Sequence, residues 1–136
     1  MPYREQLNVD VMLGEVLKNV IRINAHETES SYGDEEIIFE LVSGKKYKLF
    51  HRQDCCESVT IKDISGDLND LVGLPLKMSE EVASFDENAK ISESRGGDSH
   101  TWTFYKFATE KGYVTMSWYG TSNGYYSEGV NFTEAD

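Results

Sequence analysis

Two stretches of period-two alternation, each folded back on itself by a short turn, constrain this chain more than any other feature. In the first, Glu36 to Val42 sets Ile37, Phe39 and Leu41 on one face, and Ser43-Gly44 supplies a turn. Lys45 to Arg52 follows, with Tyr47, Leu49 and His51 alternating against Lys48, Phe50 and Arg52. In the second, Thr101 to Ala108 and Tyr113 to Gly120 flank Thr109-Glu110-Lys111-Gly112. Side chains in a strand point alternately to its two faces, so each stretch reads as an antiparallel hairpin with one face for a core.

The rest of the chain reads in the same way. Glu15 to Asn24 is rich in β-branched residues and reads as a strand, as does the alternating run Val59 to Ile64. Leu74 to Phe85 becomes a strand after Pro75, and Tyr125 to Thr133 closes the chain as an edge strand. Short helical segments are expected at Leu7 to Gly14 and at Asp67 to Val72, with Leu68, Leu71 and Val72 inward and Asp67 as N-cap. The expected fold class is β-rich α+β, a curled antiparallel sheet of about seven short strands with one or two short helices. The 136 residues predict a single domain, with residues 1–10 flexible and 86–99 a mobile loop around Gly96-Gly97.

Charge narrows the range of partners. With 13 Lys or Arg against 24 Asp or Glu, the formal net charge is −11. A field of that sign repels phosphate backbones, so direct nucleic-acid binding is not expected. A basic partner protein suits it, as does a small anionic ligand held in a local basic pocket. No apolar run approaches the roughly 18 residues of a membrane helix. The N-terminal Met1-Pro2-Tyr3-Arg4-Glu5-Gln6 lacks the apolar core of a signal peptide, so the expected compartment is the cytoplasm.

Chemistry-bearing residues are densest in His51-Arg52-Gln53-Asp54-Cys55-Cys56-Glu57-Ser58, which holds both cysteines. Zinc takes about four tetrahedral ligands, and His51, Cys55, Cys56 and Glu57 could supply them. Vicinal cysteine side chains diverge, however, and no metal is expected. For a nucleophilic role, Cys55 or Cys56 would need His51 or His100 as base and Asp54 or Glu57 as orienter. Those carboxylates would raise a thiol pKa, which opposes activation, and buried structural thiols are the expected reading. Were the chain an enzyme, His51, Cys55 and Glu57 would be its catalytic set. Asp63, Asp67 and Asp70 match no calcium-loop spacing. No GxxxxGK[ST] or GxGxxG occurs, and no cofactor is expected.

A third constellation runs from Ser117-Trp118-Tyr119-Gly120-Thr121-Ser122 through Asn123-Gly124-Tyr125-Tyr126-Ser127-Glu128. Rings interleaved with hydroxyls and an amide suit a planar ligand, with Trp102 and Tyr105 of the preceding hairpin extending the wall. The competing reading sets Trp118 in the core and leaves Asn123-Gly124 as a turn. Gln53-Asp54-Cys55-Cys56-Glu57-Ser58-Val59, Ile64-Ser65-Gly66-Asp67-Leu68 and the Trp118–Glu128 block together resemble a family of small bacteriophage and prophage proteins with a domain of unknown function. The resemblance spans residues 11–133. It implies a phage origin and brings no assigned activity, but small phage proteins of this kind are often antagonists of host defence.

Three functions follow as expectations. The leading one is a non-enzymatic phage accessory protein that binds and neutralises a host factor, its acidic surface acting as a protein–protein inhibitor. A second is a sponge for a nucleotide immune signal, with Arg52, Trp102, Tyr105, Trp118, Asn123, Tyr125 and Tyr126 forming the pocket and Arg95 and Lys106 adding positive charge. The third is a small Cys/His-dependent or metal-dependent hydrolase. The C-terminal edge strand also permits a homo-oligomer.

Overall fold

A computed structural model describes residues 6–23, 35–51, 58–85, 99–122 and 129–135. Eight antiparallel strands form two four-stranded sheets. The first sheet holds β1 (Leu17–Ile23), β2 (Glu36–Leu41), β3 (Lys46–Phe50) and β8 (Asn131–Ala135), in the order β1-β2-β3-β8. The second holds β4 (Ser58–Ser65), β5 (Met78–Phe85), β6 (Ser99–Thr109) and β7 (Gly112–Ser122), in the order β4-β7-β6-β5.

Both expected hairpins form. β2 and β3 pair from Glu36↔Phe50 to Glu40↔Lys46, with Gly44 at φ 102° in the connecting turn, a conformation glycine adopts without steric cost. β6 and β7 pair over their whole length, closing at Thr109↔Gly112. The β-rich antiparallel class holds, but the strands divide between two sheets instead of curling as one. The division follows from two crossings. The chain passes from the first sheet to the second between β3 and β4, and returns between β7 and β8. Turn chemistry determines which neighbours form hairpins; it does not determine which hairpins share a sheet.

The two sheets face each other across one core. Ile37, Phe39, Leu49 and Phe132 from the first sheet meet Tyr105, Phe107, Val114, Met116 and Trp118 from the second, all at most 1% exposed. Phe39 and Phe107 touch across the interface with ring centroids 5.2 Å apart. The burial pattern iBiBiB of β2 repeats the alternation read from its sequence.

Neither expected helix is an α-helix. Val9–Met12 and Leu68–Leu71 are single 3-10 turns, capped by the side chains of Asn8 and Asp67. Leu71 is buried, while Leu68 and Val72 are only partly so. The strand expected after Pro75 starts at Met78, because Pro75 lies in an isolated bridge with Val16. The final strand is an edge strand as expected, paired with β3 alone, and its described span is Asn131–Ala135. Of the segments expected to be mobile, residues 1–5 and 86–98 lie outside the described residues, while Ser99 belongs to β6.

The two ends of the sandwich differ in kind. At one end, Val9, Met12, Leu17, Leu41, Leu71 and Leu76 close the interior with aliphatic side chains. From the other end depart the connections 24–34, 52–57, 86–98 and 123–128. Register shows this, since Ile23 pairs with Glu36, Glu36 with Phe50 and Phe50 with Asn131. In the second sheet Ser58 pairs with Thr121, Phe85 with Thr101 and Ser99 with Ser122.

Candidate functional site

The end that carries the four connections is the candidate site, and its described lining mixes polar with apolar side chains. On the inner faces lie His51, Thr103, Tyr105, Trp118 and Ser122, each less than a tenth exposed. Nδ1–H of His51 donates to the Gly129 carbonyl at 2.7 Å, which ties the end of β3 to the residues entering β8. That carbonyl can only accept, so Nδ1 carries a proton.

Two buried donors stand out. The Tyr105 hydroxyl and Trp118 Nε1–H have no hydrogen-bond partner among the described residues. Tyr105 pairs with Met116 and Trp118 follows two residues later on the same face, so the two rings are diagonal neighbours, with Cβ atoms about 7–8 Å apart. Burial first, and then the charge of the Glu81 carboxylate and its approach to the hydroxyl, beyond ordinary hydrogen-bond length, push the Tyr105 pKa well above the usual phenol value and keep the hydroxyl protonated.

The outer face of the second sheet is aromatic. Trp102 sits opposite Tyr119 with centroids 4.6 Å apart, and Phe104 lies parallel to Trp102 at 5.9 Å. His100 stacks on Tyr119 at 5.8 Å, and its Nδ1 shares a 2.5 Å hydrogen bond with the Tyr119 hydroxyl. Lys62 Nζ lies 5.8 Å from the Tyr119 ring centroid. The outer face of the first sheet is different, because it is laced with ion pairs. Glu40 meets Lys46 at 3.4 Å and Glu36 meets Lys48 at 3.7 Å, whereas Arg22, paired with inward-facing Ile37, meets Glu35 at 3.3 Å on the side of the second sheet.

The residues expected to line one binding wall are therefore divided. Trp118 and Tyr105 face the core, whereas Trp102 faces outward, because β6 and β7 pair Trp102 with Tyr119 and Thr103 with Trp118. Core placement of Trp118 agrees with the competing reading of that run. Arg52, Asn123, Tyr125 and Tyr126 lie outside the described residues, as do Cys55, Cys56, Glu57 and Arg95. His51 is described and buried, but the catalytic set expected around it is not. The outer cluster of His100, Phe104, Tyr119 and Lys62 was not anticipated as a group. The alternation His100, Trp102, Phe104 along one strand was its legible signal.

Charge is unevenly distributed along the sequence. The four connections at this end hold ten Asp or Glu residues against three Lys or Arg: Glu27, Glu29, Asp34, Asp54, Glu57, Asp86, Glu87, Glu93, Asp98 and Glu128 against Arg52, Lys90 and Arg95. Among the described residues, no group of three His, Cys, Asp or Glu side chains is placed to hold a metal ion. No helix among them is long and apolar enough to cross a membrane.

Comparison with curated proteins and with solved structures gives no match. Residues 12–132, which take in every described strand up to the start of β8, match the family defined by a domain of unknown function, DUF7448, and the chain belongs to that family.

Proposed function

We propose that this chain is a non-enzymatic binding protein whose connection-bearing end engages a basic partner protein, and that it acts as an acidic inhibitor of that partner. The observation that carries the reading is topological. The residues flanking all four connections meet at one end of the sandwich, and those connections carry ten of the acidic residues against three basic ones. A concentrated field of one sign steers a partner of the opposite sign and sets its orientation. The resemblance to small phage proteins supports a phage-encoded antagonist of a host factor acting in the cytoplasm of the host.

The test is capture from host lysate with the wild-type chain and with a variant whose Asp86, Glu87, Glu93 and Asp98 are replaced by Asn or Gln. Wild type should retain a basic protein at low salt and release it at about 0.5 M salt, where the Debye length is only a few Å. The neutralised variant should retain much less. A partner held equally by both chains at both salts would remove the basis of the proposal.

A second reading, the nucleotide sponge, draws support from the unpartnered Tyr105 and Trp118 donors, which could meet acceptors on a ligand entering between the sheets. Calorimetric titration with cyclic nucleotides and ADP-ribose derivatives tests it. Saturable heat lost in Trp118→Phe would favour the sponge, and a flat panel would count against it.

A further inference from the structure

Four strands lie on sheet edges, and the described residues interrupt or cover part of three of them. β1 slips register between Leu17 and Asn19, and its first residues are bridged to Val72 and Pro75. β4 slips register between Ile61 and Asp63, and the outward Ile61 N–H donates to Glu35 Oε1 at 2.9 Å. β8 is covered by the segment before the first 3-10 turn. Leu7 N–H donates to the Phe132 carbonyl at 2.8 Å, and Phe132 N–H donates to Gln6 Oε1 at 3.3 Å.

β5 is built differently. It pairs with β6 residue for residue from Met78↔Ala108 to Phe85↔Thr101, with no slip or bulge. Ser79 is buried and its hydroxyl anchors the Val9 carbonyl, but the next four residues, Glu80, Glu81, Val82 and Ala83, are all exposed. Val82 is 44% exposed on the same outer face as Phe104, with which it pairs. Among the described residues nothing pairs with the outer edge of this strand. A long, regular edge with no partner among the described residues is a template for another strand. Its one protective device is charge. Adjacent carboxylates at Glu80 and Glu81 oppose the edge of a second copy and favour a strand bearing cations.

We propose that the outer edge of β5 from Glu80 to Ala83 is a strand-addition site for an extended cationic segment of the partner. The proposal rests on the reading of that partner as a basic protein. Main-chain hydrogen bonds would supply the pairing, with Lys or Arg side chains opposite Glu80 and Glu81 selecting the segment. Val82 would take an apolar neighbour on the outer face.

The probe is a capped peptide, TVKKVT, mixed with the full chain, and the readout is amide hydrogen exchange. The expected result is slowed exchange at the alternate amides between Glu80 and Ala83 that β6 does not already bond. Peptides N-methylated at alternate residues, one for each edge of the peptide, should divide into one that binds and one that does not. The double variant Glu80→Lys, Glu81→Lys should lose at least about tenfold in affinity for TVKKVT and gain affinity for TVEEVT, which also shows that the variant remains folded. Binding without protection of β5, or equal binding by both methylated peptides, overturns the edge site while leaving a charge-driven partner intact. No binding of TVKKVT also overturns it. Salt-resistant capture from lysate instead removes the basic-partner reading, so the two failures are distinguishable.

Discussion

Replacing Tyr105 by Phe removes one buried oxygen from the core and should make the protein more stable. The ring is fully buried between the sheets, and its hydroxyl finds no partner among the described residues. Taking a hydroxyl out of water without replacing its hydrogen bond costs about 1–3 kcal/mol, so Phe should gain about 1 kcal/mol at neutral pH after the lost packing of the oxygen is allowed for. A pH series adds a second signature. Burial and Glu81 raise the folded-state pKa of Tyr105 above its ordinary value of 10.0. Below that value both states hold the proton, and the hydroxyl contributes no pH dependence. Above it the unfolded chain releases the proton and the folded chain retains it, so wild-type stability falls as pH rises, by about 1.4 kcal/mol per unit from this group alone. Phe has no such proton, so its advantage should widen above about pH 10. Urea unfolding of both proteins between about pH 7 and pH 11 measures the difference, and the other tyrosines cancel in the comparison. A variant less stable by about 1 kcal/mol at pH 7 would show that the hydroxyl is satisfied, by the Glu81 carboxylate that helps raise its pKa or by a retained water or ligand. An advantage that stays constant through pH 11 would refute the assigned cause of the pKa shift.

Three further predictions concern the joints of the fold. Glu35 bridges the sheets, accepting the Ile61 N–H at 2.9 Å while pairing with Arg22 at 3.3 Å, and its side chain is only 12% exposed. Glu35→Ala should cost about 2–3 kcal/mol in urea unfolding, and Glu35→Gln, which keeps the acceptor, about 1 kcal/mol or less; equal losses would mean the ion pair carries the joint. Gly66 sits at φ 103°, and a Cβ there would run into the Tyr113 carbonyl oxygen. Gly66→Ala should therefore destabilise by about 1–3 kcal/mol, seen as a lowered urea midpoint, and a neutral result would mean the turn relaxes freely. Phe39→Ala removes the ring that touches Phe107 across the sheets and should cost about 3–5 kcal/mol by the same assay.

Much of the local structure was legible in the residues. Ile37, Phe39 and Leu41 face inward as their spacing indicates, and so do Tyr47, Leu49 and His51. The opposite facing of Trp102 and Trp118 was legible too. Once Thr109 is paired with Gly112, counting back along both strands sets Trp102 against Tyr119, and the two indoles must point to different faces. The Leu7–Gly14 run reads as a longer helix than the single turn it forms, whereas Asp67–Val72 reads as the one capped turn that it is. Each is four residues long, too short to repay helix nucleation, and is held by packing against the sheets.

The sequence by itself determined which runs become strands, which faces of the two hairpins turn inward, and the size and sign of the charge. Those properties are set by neighbours a few residues apart, through turn geometry and the two-residue period of the strand. Tertiary structure alone decided that the hairpins divide between two sheets, that Glu35 stitches one sheet to the other, and that no described residue pairs with the outer edge of β5. It also decided that the residues flanking four acidic connections meet at one end of the sandwich. Such outcomes depend on which apolar faces desolvate each other across long stretches of chain. That free energy is summed over the whole interface and is written in no single motif.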